Sequence, residues 1–281
     1  MPPLTPEEQA RWDSYLPYED QRVLSNIPGI TSYEAWKQAE YSHAEDQLVD
    51  IASGAIEIPA TFDVDHAKAV HQALFDGFYE CAGECRQVPL SDGLIDFAPY
   101  DEIASTLAEA GSHFKQHLEA GGDRDAFIAA ACEATARWNY AHPFREGNGR
   151  TMKVVLDQFA ESTPWQFKFD RVTPGQWNTA SMLSMPAPDT QWQPQPQNLH
   201  AVFNRITVDR AELSSGGSGD GRGARLEKLR AADPQAAATI EQAFKNHVDG
   251  IYRRAGHTPP DAAASRYRPP PQRSTDQGIE R

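Results

Sequence analysis

Hydrophobic residues recur every three or four positions along much of residues 31–206, the spacing typical of amphipathic helices. In the stretch that opens at Asp63, for example, Val64, Ala67, Val70 and Leu74 share one face. The pattern predicts helices from Thr31 or Ser32 to about Ser53, from Asp63 to near Gly83, over 99–119, from Asp123 or Asp125 to His142, over 151–160, from Thr173 to about Leu183, and from Leu199 to Ile206.

One segment departs from the helical period. Residues 87–98 start with an extended run, continue through Ser91-Asp92-Gly93, a turn signal, and end in a second apolar run. This favours a short β-hairpin. The predicted fold class is therefore all-α with a single small hairpin.

Proline and glycine mark the divisions of the chain. Residues 1–30 are rich in proline and aromatic residues and predict an irregular arm, followed by a helical domain over 31–210. Glycine and serine then predict a flexible linker over 211–223. We expect a helical appendage over 224–255 and a disordered tail over 256–281, where prolines replace hydrophobic residues.

Composition narrows the functional classes. The 281 residues are 40% hydrophobic, enough for a sizeable core, and carry a formal net charge of −14. Residues 215–281 contain 11 of the 26 Lys and Arg residues but only 8 of the 40 Asp and Glu residues. Residues 1–214 are therefore strongly acidic. This negative charge would repel the phosphate backbone of a nucleic acid, so we do not expect residues 1–214 to bind DNA or RNA.

No stretch is apolar enough for a membrane span, and the N-terminus lacks a basic and then apolar leader. We therefore expect a cytoplasmic protein with no membrane partner. Three cysteines, an odd number, predict free thiols rather than a disulfide framework.

The densest chemistry lies in the nine residues His142–Arg150. Glycines on both sides of Asn148 let the backbone turn tightly and approach a ligand. They precede a predicted helix, whose first N–H groups and dipole favour an anion. Arg150 and Lys153, three residues apart, lie on the same side of that helix. The segment therefore predicts a phosphate-binding turn.

Two more residues of this segment can act on a bound phosphate. Glu146 supplies a carboxylate beside the turn, and Mg²⁺ prefers carboxylate and phosphate oxygens. His142 can accept a proton from a hydroxyl near neutral pH. The residues point to transfer of a phosphate-containing group from a nucleotide to a hydroxyl. A purely structural Gly-Asn-Gly turn with a solvated histidine is the alternative.

The segment His-Pro-Phe-x-Glu-Gly-Asn-Gly-Arg matches the signature of the Fic (filamentation induced by cAMP) family. Four upstream segments also resemble the family pattern: Ala39-Glu40-Tyr41, Phe62-Asp63-x-Asp65-His66, Leu74-Phe75, and Ala82-Gly83-Glu84-x-Arg86. The resemblance extends over about residues 20–208. It implies a Fic-type helical bundle with a β-hairpin flap over the active site.

The resemblance also implies an activity, transfer of AMP from ATP to a Ser, Thr or Tyr hydroxyl of a target protein. By that resemblance His142 is the general base, Phe144 anchors the loop, and Glu146 holds Mg²⁺. Gly147, Asn148 and Gly149 form the anion cradle, and Arg150 binds the phosphates. The flap, about residues 87–98, aligns the target chain by strand addition.

One position departs from the family pattern. Fic proteins often carry a second arginine for the γ-phosphate, where this chain has Lys153, which supplies charge without the planar guanidinium. Arg145 takes the variable position, and we expect it to face solvent.

Fic enzymes are often restrained by a helix bearing Ser/Thr-x-x-x-Glu-Gly/Asn. Ser53–Glu57 imitates the start of this motif, but Ile58 follows it, and Gly54 and Pro59 disfavour a helix. We interpret the imitation as coincidence and expect a separate antitoxin-like protein to supply the inhibitory glutamate.

Several alternatives stay open at this point. The chain is interpreted as an adenylyltransferase, as a toxin of a toxin–antitoxin pair or a translocated effector. Other interpretations are a Fic-fold kinase, another phosphate-centred transferase, or a non-catalytic nucleotide-binding module. The appendage at 224–255 is amphipathic and could bind a partner, serve as a secretion signal, or pack on its own domain.

Overall fold

The computed structural model describes residues 4–91, 96–186, 190 and 193–211. Its helices are α1 (Pro6–Tyr15), α2 (Tyr33–Ala52), α3 (Val64–Phe75), α4 (Ile103–Ala120), α5 (Arg124–Ala141), α6 (Asn148–Glu161), α7 (Pro174–Ser184) and α8 (His200–Ile206). Two three-residue strands, β1 (Trp165–Phe167) and β2 (Thr207–Asp209), form the only sheet within these residues. The predicted all-α fold class is confirmed.

Helix α5 is the central element, because it packs against α4, α6, α7 and α8. Asp123 caps its N-terminus by accepting a hydrogen bond from the Ala126 amide. Small residues let neighbouring helices approach closely: Ala131, Ala134 and Ala136 are almost fully buried. Its C-terminal end therefore lies in a firmly packed environment, and the segment of densest chemistry begins there.

Two of the predicted helix ends differ from the observed ones for the same reason. Helix α3 ends at Phe75, well before Gly83, because the chain turns at Gly77 with φ +76. Helix α6 begins at Asn148, three residues before the predicted start. In both cases a glycine in the left-handed region sets the boundary.

The prediction of an irregular N-terminal arm is wrong for residues 6–15, which form α1. Thr5 and Glu8 make a reciprocal capping box, and Pro6 occupies the first helical turn. The prolines of this segment thus start a helix rather than prevent one.

The sheet was not predicted from the sequence. Strands β1 and β2 pair antiparallel, with Gln166 opposite Val208. Three-residue strands are too short to show clear alternation, and the partners lie about forty positions apart.

The predicted hairpin is present as antiparallel pairing. Ser91 forms a bridge with Asp96, and the Phe97 amide donates to the Leu90 carbonyl at 3.0 Å. The turn itself, and the predicted linker beyond Ala211, appendage and tail, lie outside the described residues. Among the described helices, none combines the length and apolar character needed to cross a bilayer.

Candidate active site

His142 stands directly at the C-terminal end of α5 and adopts left-handed backbone angles, φ 39 and ψ 60. This conformation costs a residue other than glycine about 1–3 kcal/mol, so the surroundings must hold it. The imidazole stacks on Phe97 of the flap, with ring centroids 3.8 Å apart. The candidate base is therefore fixed between the end of α5 and the end of the flap.

The loop after His142 is anchored by Phe144, whose side chain is completely buried. Asn148 closes the loop: its Oδ1 accepts from the Phe144 amide at 2.9 Å, and its Nδ2 donates to the Phe144 carbonyl at 2.8 Å. The Asn148 side chain is thus used for structure, while its backbone amide stands at the start of α6, where the sequence predicts an anion cradle.

His71 of α3 packs against the loop that follows His142, a role that the sequence did not reveal. Its ring stacks on Phe144, with centroids 3.9 Å apart. Nδ1 accepts from the Gly83 amide at 2.8 Å, so Nε2 carries the proton and donates to the Glu146 carbonyl at 3.1 Å. Burial lowers the pKa of His71 to about 4, and the imidazole is therefore neutral.

The two glycines have different roles. Gly147 has φ +80, and a Cβ there would lie 2.3 Å from the Phe75 ring, so both conformation and space require glycine. A Cβ on Gly149 would meet nothing within 4 Å. Gly149 therefore borders open space at the first turn of α6, where backbone N–H groups and the helix dipole favour an anion.

Glu146 offers a carboxylate at the same turn, and its side chain is 40% exposed. One carboxylate oxygen accepts from the Gly147 amide at 3.0 Å and lies 3.5 Å from Arg150 Nη2. An exposed carboxylate beside a predicted anion-binding turn fits the ligand preference of Mg²⁺, which takes one or two protein carboxylates together with phosphate oxygens and water.

Arg150 is engaged by a residue to which the sequence assigned no role. Its guanidinium makes a bidentate ion pair with Glu40 of α2, with Nη1 to Oε2 at 2.6 Å. It also lies 4.9 Å from the ring centroids of Tyr41 and Phe75. Burial raises the pKa of Glu40, and the guanidinium opposes that rise. The expected phosphate ligand is thus held on one side by a buried carboxylate.

Lys153 lies between aromatic rings. Its Nζ is 5.3 Å from the centroid of Phe169 and 5.6 Å from that of Trp177. Burial lowers the pKa of Lys153, with the charge of Asp157 opposing.

A cavity of about 420 Å³ connects several of these residues. His142, Asn148 and Gly149 line it together with Trp177. Its wall is mostly apolar, but Trp138 Nε1 and Ser181 Oγ are buried there without a partner among the described residues. An apolar cavity with a few polar groups beside the predicted anion-binding turn has the character of a nucleotide site.

Arg145 does not face solvent, so that prediction is wrong. Its guanidinium lies 4.9 Å from the ring centroid of Trp12 in α1, and burial lowers its pKa. It lines a second cavity of about 320 Å³ on the side of α1. The unpredicted helix α1 covers this side of the loop, which explains the error.

Comparison with known proteins bears directly on this site. Residues 61–160 match the model of the Fic/DOC family, a range that contains α3 and the entire His142–Arg150 loop. The chain contains a Fic/DOC-family domain. The family predicted from the sequence is confirmed.

Two curated relatives of the Fic domain have informative names. Protein adenylyltransferase VbhT of Bartonella schoenbuchensis is 33% identical over 172 residues, which cover 60% of this chain and 35% of the relative. The chain therefore spans about a third of that protein. The probable protein adenylyltransferase Fic of Escherichia coli is 23% identical over 206 residues, which cover 71% of this chain and 94% of the relative.

A solved structure shows the same fold. The BepC protein of Bartonella tribocorum, a VirB-translocated effector crystallised with AMPPNP, superimposes with a TM-score of 0.61 at 21% identity. The match covers 70% of this chain and 98% of BepC. This likeness supports the Fic-type bundle described above.

Proposed function

We propose that this Fic domain transfers AMP from ATP to a Ser, Thr or Tyr hydroxyl of a target protein. The observation that carries the proposal is the shared cavity: His142 and Gly149, at the anion-binding start of α6, line the same space. The names of the relatives support AMP as the transferred group.

The reaction would proceed as one displacement at phosphorus. His142 takes the proton of the target hydroxyl, whose oxygen then attacks the α-phosphorus of ATP. The bond from that phosphorus to the oxygen bridging the α- and β-phosphates breaks, and pyrophosphate leaves. The α6 N–H groups stabilise the charge that develops on the phosphate oxygens. The protein product carries an adenylyl group.

Glu146 would hold Mg²⁺, which neutralises charge on the phosphates when bound. Its half-exposed carboxylate and its place beside the cradle support this assignment. Arg150 would meet the phosphates with the donors that Glu40 does not use, and Lys153 would add charge near Trp177.

The target chain would align along the flap. Phe97 stacks on His142, so a strand added at residues 87–98 would present its hydroxyl near the base.

We also infer that inhibition, where it occurs, comes from a separate antitoxin-like protein. Ser53–Glu57 follows the end of α2 at Ala52 and does not form a helix, which supports the interpretation that its likeness to the inhibitory motif is coincidence. A sharp rise of auto-modification in Glu57→Gly would contradict this inference.

Mass spectrometry of a cell lysate incubated with ATP and the protein tests the activity. The wild type should add the mass of an adenylyl group to a target, and His142→Ala should not. Addition of a phosphate mass would instead identify a Fic-fold kinase. Binding of Mg-ATP in calorimetry without any transferred mass would identify a non-catalytic module.

A further inference from the structure

Arg86 is one of the most deeply buried side chains of the protein, with 1% of its surface exposed. Arginine is rarely buried to this extent without a counter-ion. Among the described residues, no carboxylate makes an ion pair with it. Its position therefore needs another explanation.

Backbone carbonyls take the place of the counter-ion. Nε donates to the His142 carbonyl at 2.9 Å, and Nη2 donates to the Ala141 carbonyl at 3.0 Å. These carbonyls belong to the end of α5, where helical acceptors lack intrahelical donors and the helix dipole is negative. A cation is favourable there. Burial lowers the pKa of Arg86 to about 10, which still leaves it protonated at neutral pH.

The remaining donors reach the flap. Nη1 donates to the Val88 carbonyl at 2.9 Å, and Nη2 donates to the Ala98 carbonyl at 2.5 Å. Val88 and Ala98 stand at the two ends of the hairpin segment. The Ala98 amide in turn donates to the Tyr140 carbonyl at 2.9 Å. One planar guanidinium thus connects both ends of the flap to the residue that carries the candidate base.

The backbone of Arg86 adds a fifth link. Its amide donates to the Pro143 carbonyl at 2.8 Å, so Arg86 binds the backbone on both sides of the strained His142. A residue held in the left-handed region needs such restraint. Phe97, adjacent to Ala98, then meets the His142 ring.

We propose that Arg86 is a positioning residue that fixes the flap and the catalytic histidine as one unit. The proposal rests on the proposed function insofar as it assigns His142 to the transfer. Its structural part, the coupling of flap and loop, stands independently. Five donors in a plane can serve carbonyls from two directions, which a lysine cannot do.

Arg86→Lys tests the proposal, because it keeps the charge and removes the planar set of donors. Arg124→Lys is the matched control. Arg124 likewise donates to backbone carbonyls, those of Asn204 and Thr207, but it opens α5, about 27 Å from His142. Both variants are compared with the wild type by thermal unfolding, by steady-state kinetics of transfer, and by hydrogen exchange.

Arg86→Lys should lower kcat for transfer about 10- to 100-fold while KM for ATP changes less than about threefold, because the base is misplaced and the nucleotide site is intact. Exchange should accelerate in peptides covering residues 86–98 and 138–145, and not in those covering α6. Arg124→Lys should change neither kcat nor exchange at the flap.

Arg86→Ala gives a second measurement, because added guanidinium can supply the planar donors that this variant lacks. Low-millimolar guanidinium, far below denaturing concentrations, should restore part of the lost kcat in Arg86→Ala. The same addition should leave the kcat of the wild type unchanged. Equal acceleration of exchange throughout the protein, or an unchanged kcat in Arg86→Lys, would overturn the proposal. An inactive wild type would refute the proposed function instead, and the exchange data would still decide the coupling.

Discussion

The buried carboxylate of Glu40 holds Arg150 in a bidentate ion pair across 110 positions of sequence. Glu40 is 2% exposed and Arg150 is 19% exposed at the side chain, so both charges depend on each other for stabilisation. Arg150 also stands 3.5 Å from Glu146. Helix α2 therefore sets the orientation of a guanidinium that we assign to the phosphate site.

Replacing Glu40 by Gln tests whether this pair positions Arg150. Removing one charge of a buried pair costs about 3–5 kcal/mol, and we expect a loss of unfolding free energy of this order in urea titrations. Transfer should also fall, because Arg150 loses its orientation. The surface ion pair of Asp20 with Arg22, in which Asp20 is 30% exposed and Arg22 67% exposed, gives a control: Asp20→Asn should change the unfolding free energy by less than about 1 kcal/mol and leave transfer unchanged. Faster transfer in Glu40→Gln would show that Glu40 instead competes with the nucleotide.

Gly149→Ala tests the anion cradle without disturbing the fold. Because a Cβ at this position meets nothing within 4 Å, unfolding free energy should stay within about 0.5 kcal/mol of the wild type. The methyl group would occupy space that we assign to phosphate, so affinity for Mg-ATP should fall at least about tenfold in calorimetry. Gly175→Ala, a helical glycine outside the cradle, should leave affinity unchanged. An unchanged affinity in Gly149→Ala would place the phosphates elsewhere.

Lys153→Arg tests the departure from the family pattern. A guanidinium between Phe169 and Trp177 retains the contacts with both rings and adds a planar set of donors toward the nucleotide. We expect KM for ATP to fall about threefold to tenfold, the effect of one added hydrogen bond worth about 0.7–1.4 kcal/mol. Lys68→Arg, on the surface of α3, serves as control. If KM rises instead, Lys153 has a role that requires the smaller ammonium group.

We expect the buried His66 to lower the unfolding free energy of the protein at acid pH. Its Nδ1 accepts from the Phe62 amide at 3.2 Å, and Nε2 lies 2.6 Å from Gln158 Oε1. Burial lowers the pKa of His66 below that of the unfolded chain. The unfolded state then binds more protons as pH falls below about 6.5, so the contribution of His66 to stability is lost on acidification.

The measurement is the unfolding free energy of wild type and His66→Gln between pH 7.5 and 5, where all other groups are common to both proteins. The wild type should lose more stability over this range than the variant does. Parallel curves would mean that His66 titrates alike in both states.

The helices that carry the site were predictable because their periodicity is local. Helices α2, α4 and α5 begin and end within a few residues of the predicted limits. The start of α6 was missed because Gly147 and the Asn148 side chain set it through contacts with Phe75 and Phe144, and no capping pattern precedes it. Local spacing does not encode such contacts.

The candidate active site was likewise predictable from the sequence only in part. The motif His142–Arg150 was visible in sequence, and His142 and Gly149 do line one cavity. The sequence did not reveal which residues contact this segment and orient it. Glu40, His71 and Arg86 lie 110, 75 and 56 positions from the residues that they hold. Only the packing of α2, α3 and the flap base on the loop brings them together.

The central claim is that AMP, and not a phosphate, is transferred with His142 as base. ATP labelled at the α-phosphate and, in parallel, ATP labelled at the γ-phosphate are incubated with the protein and a cell lysate. We predict that label enters protein from the α-position alone and that His142→Ala abolishes it, while calorimetry shows that the variant still binds Mg-ATP. Label from the γ-position, or undiminished α-label in His142→Ala, would contradict the account.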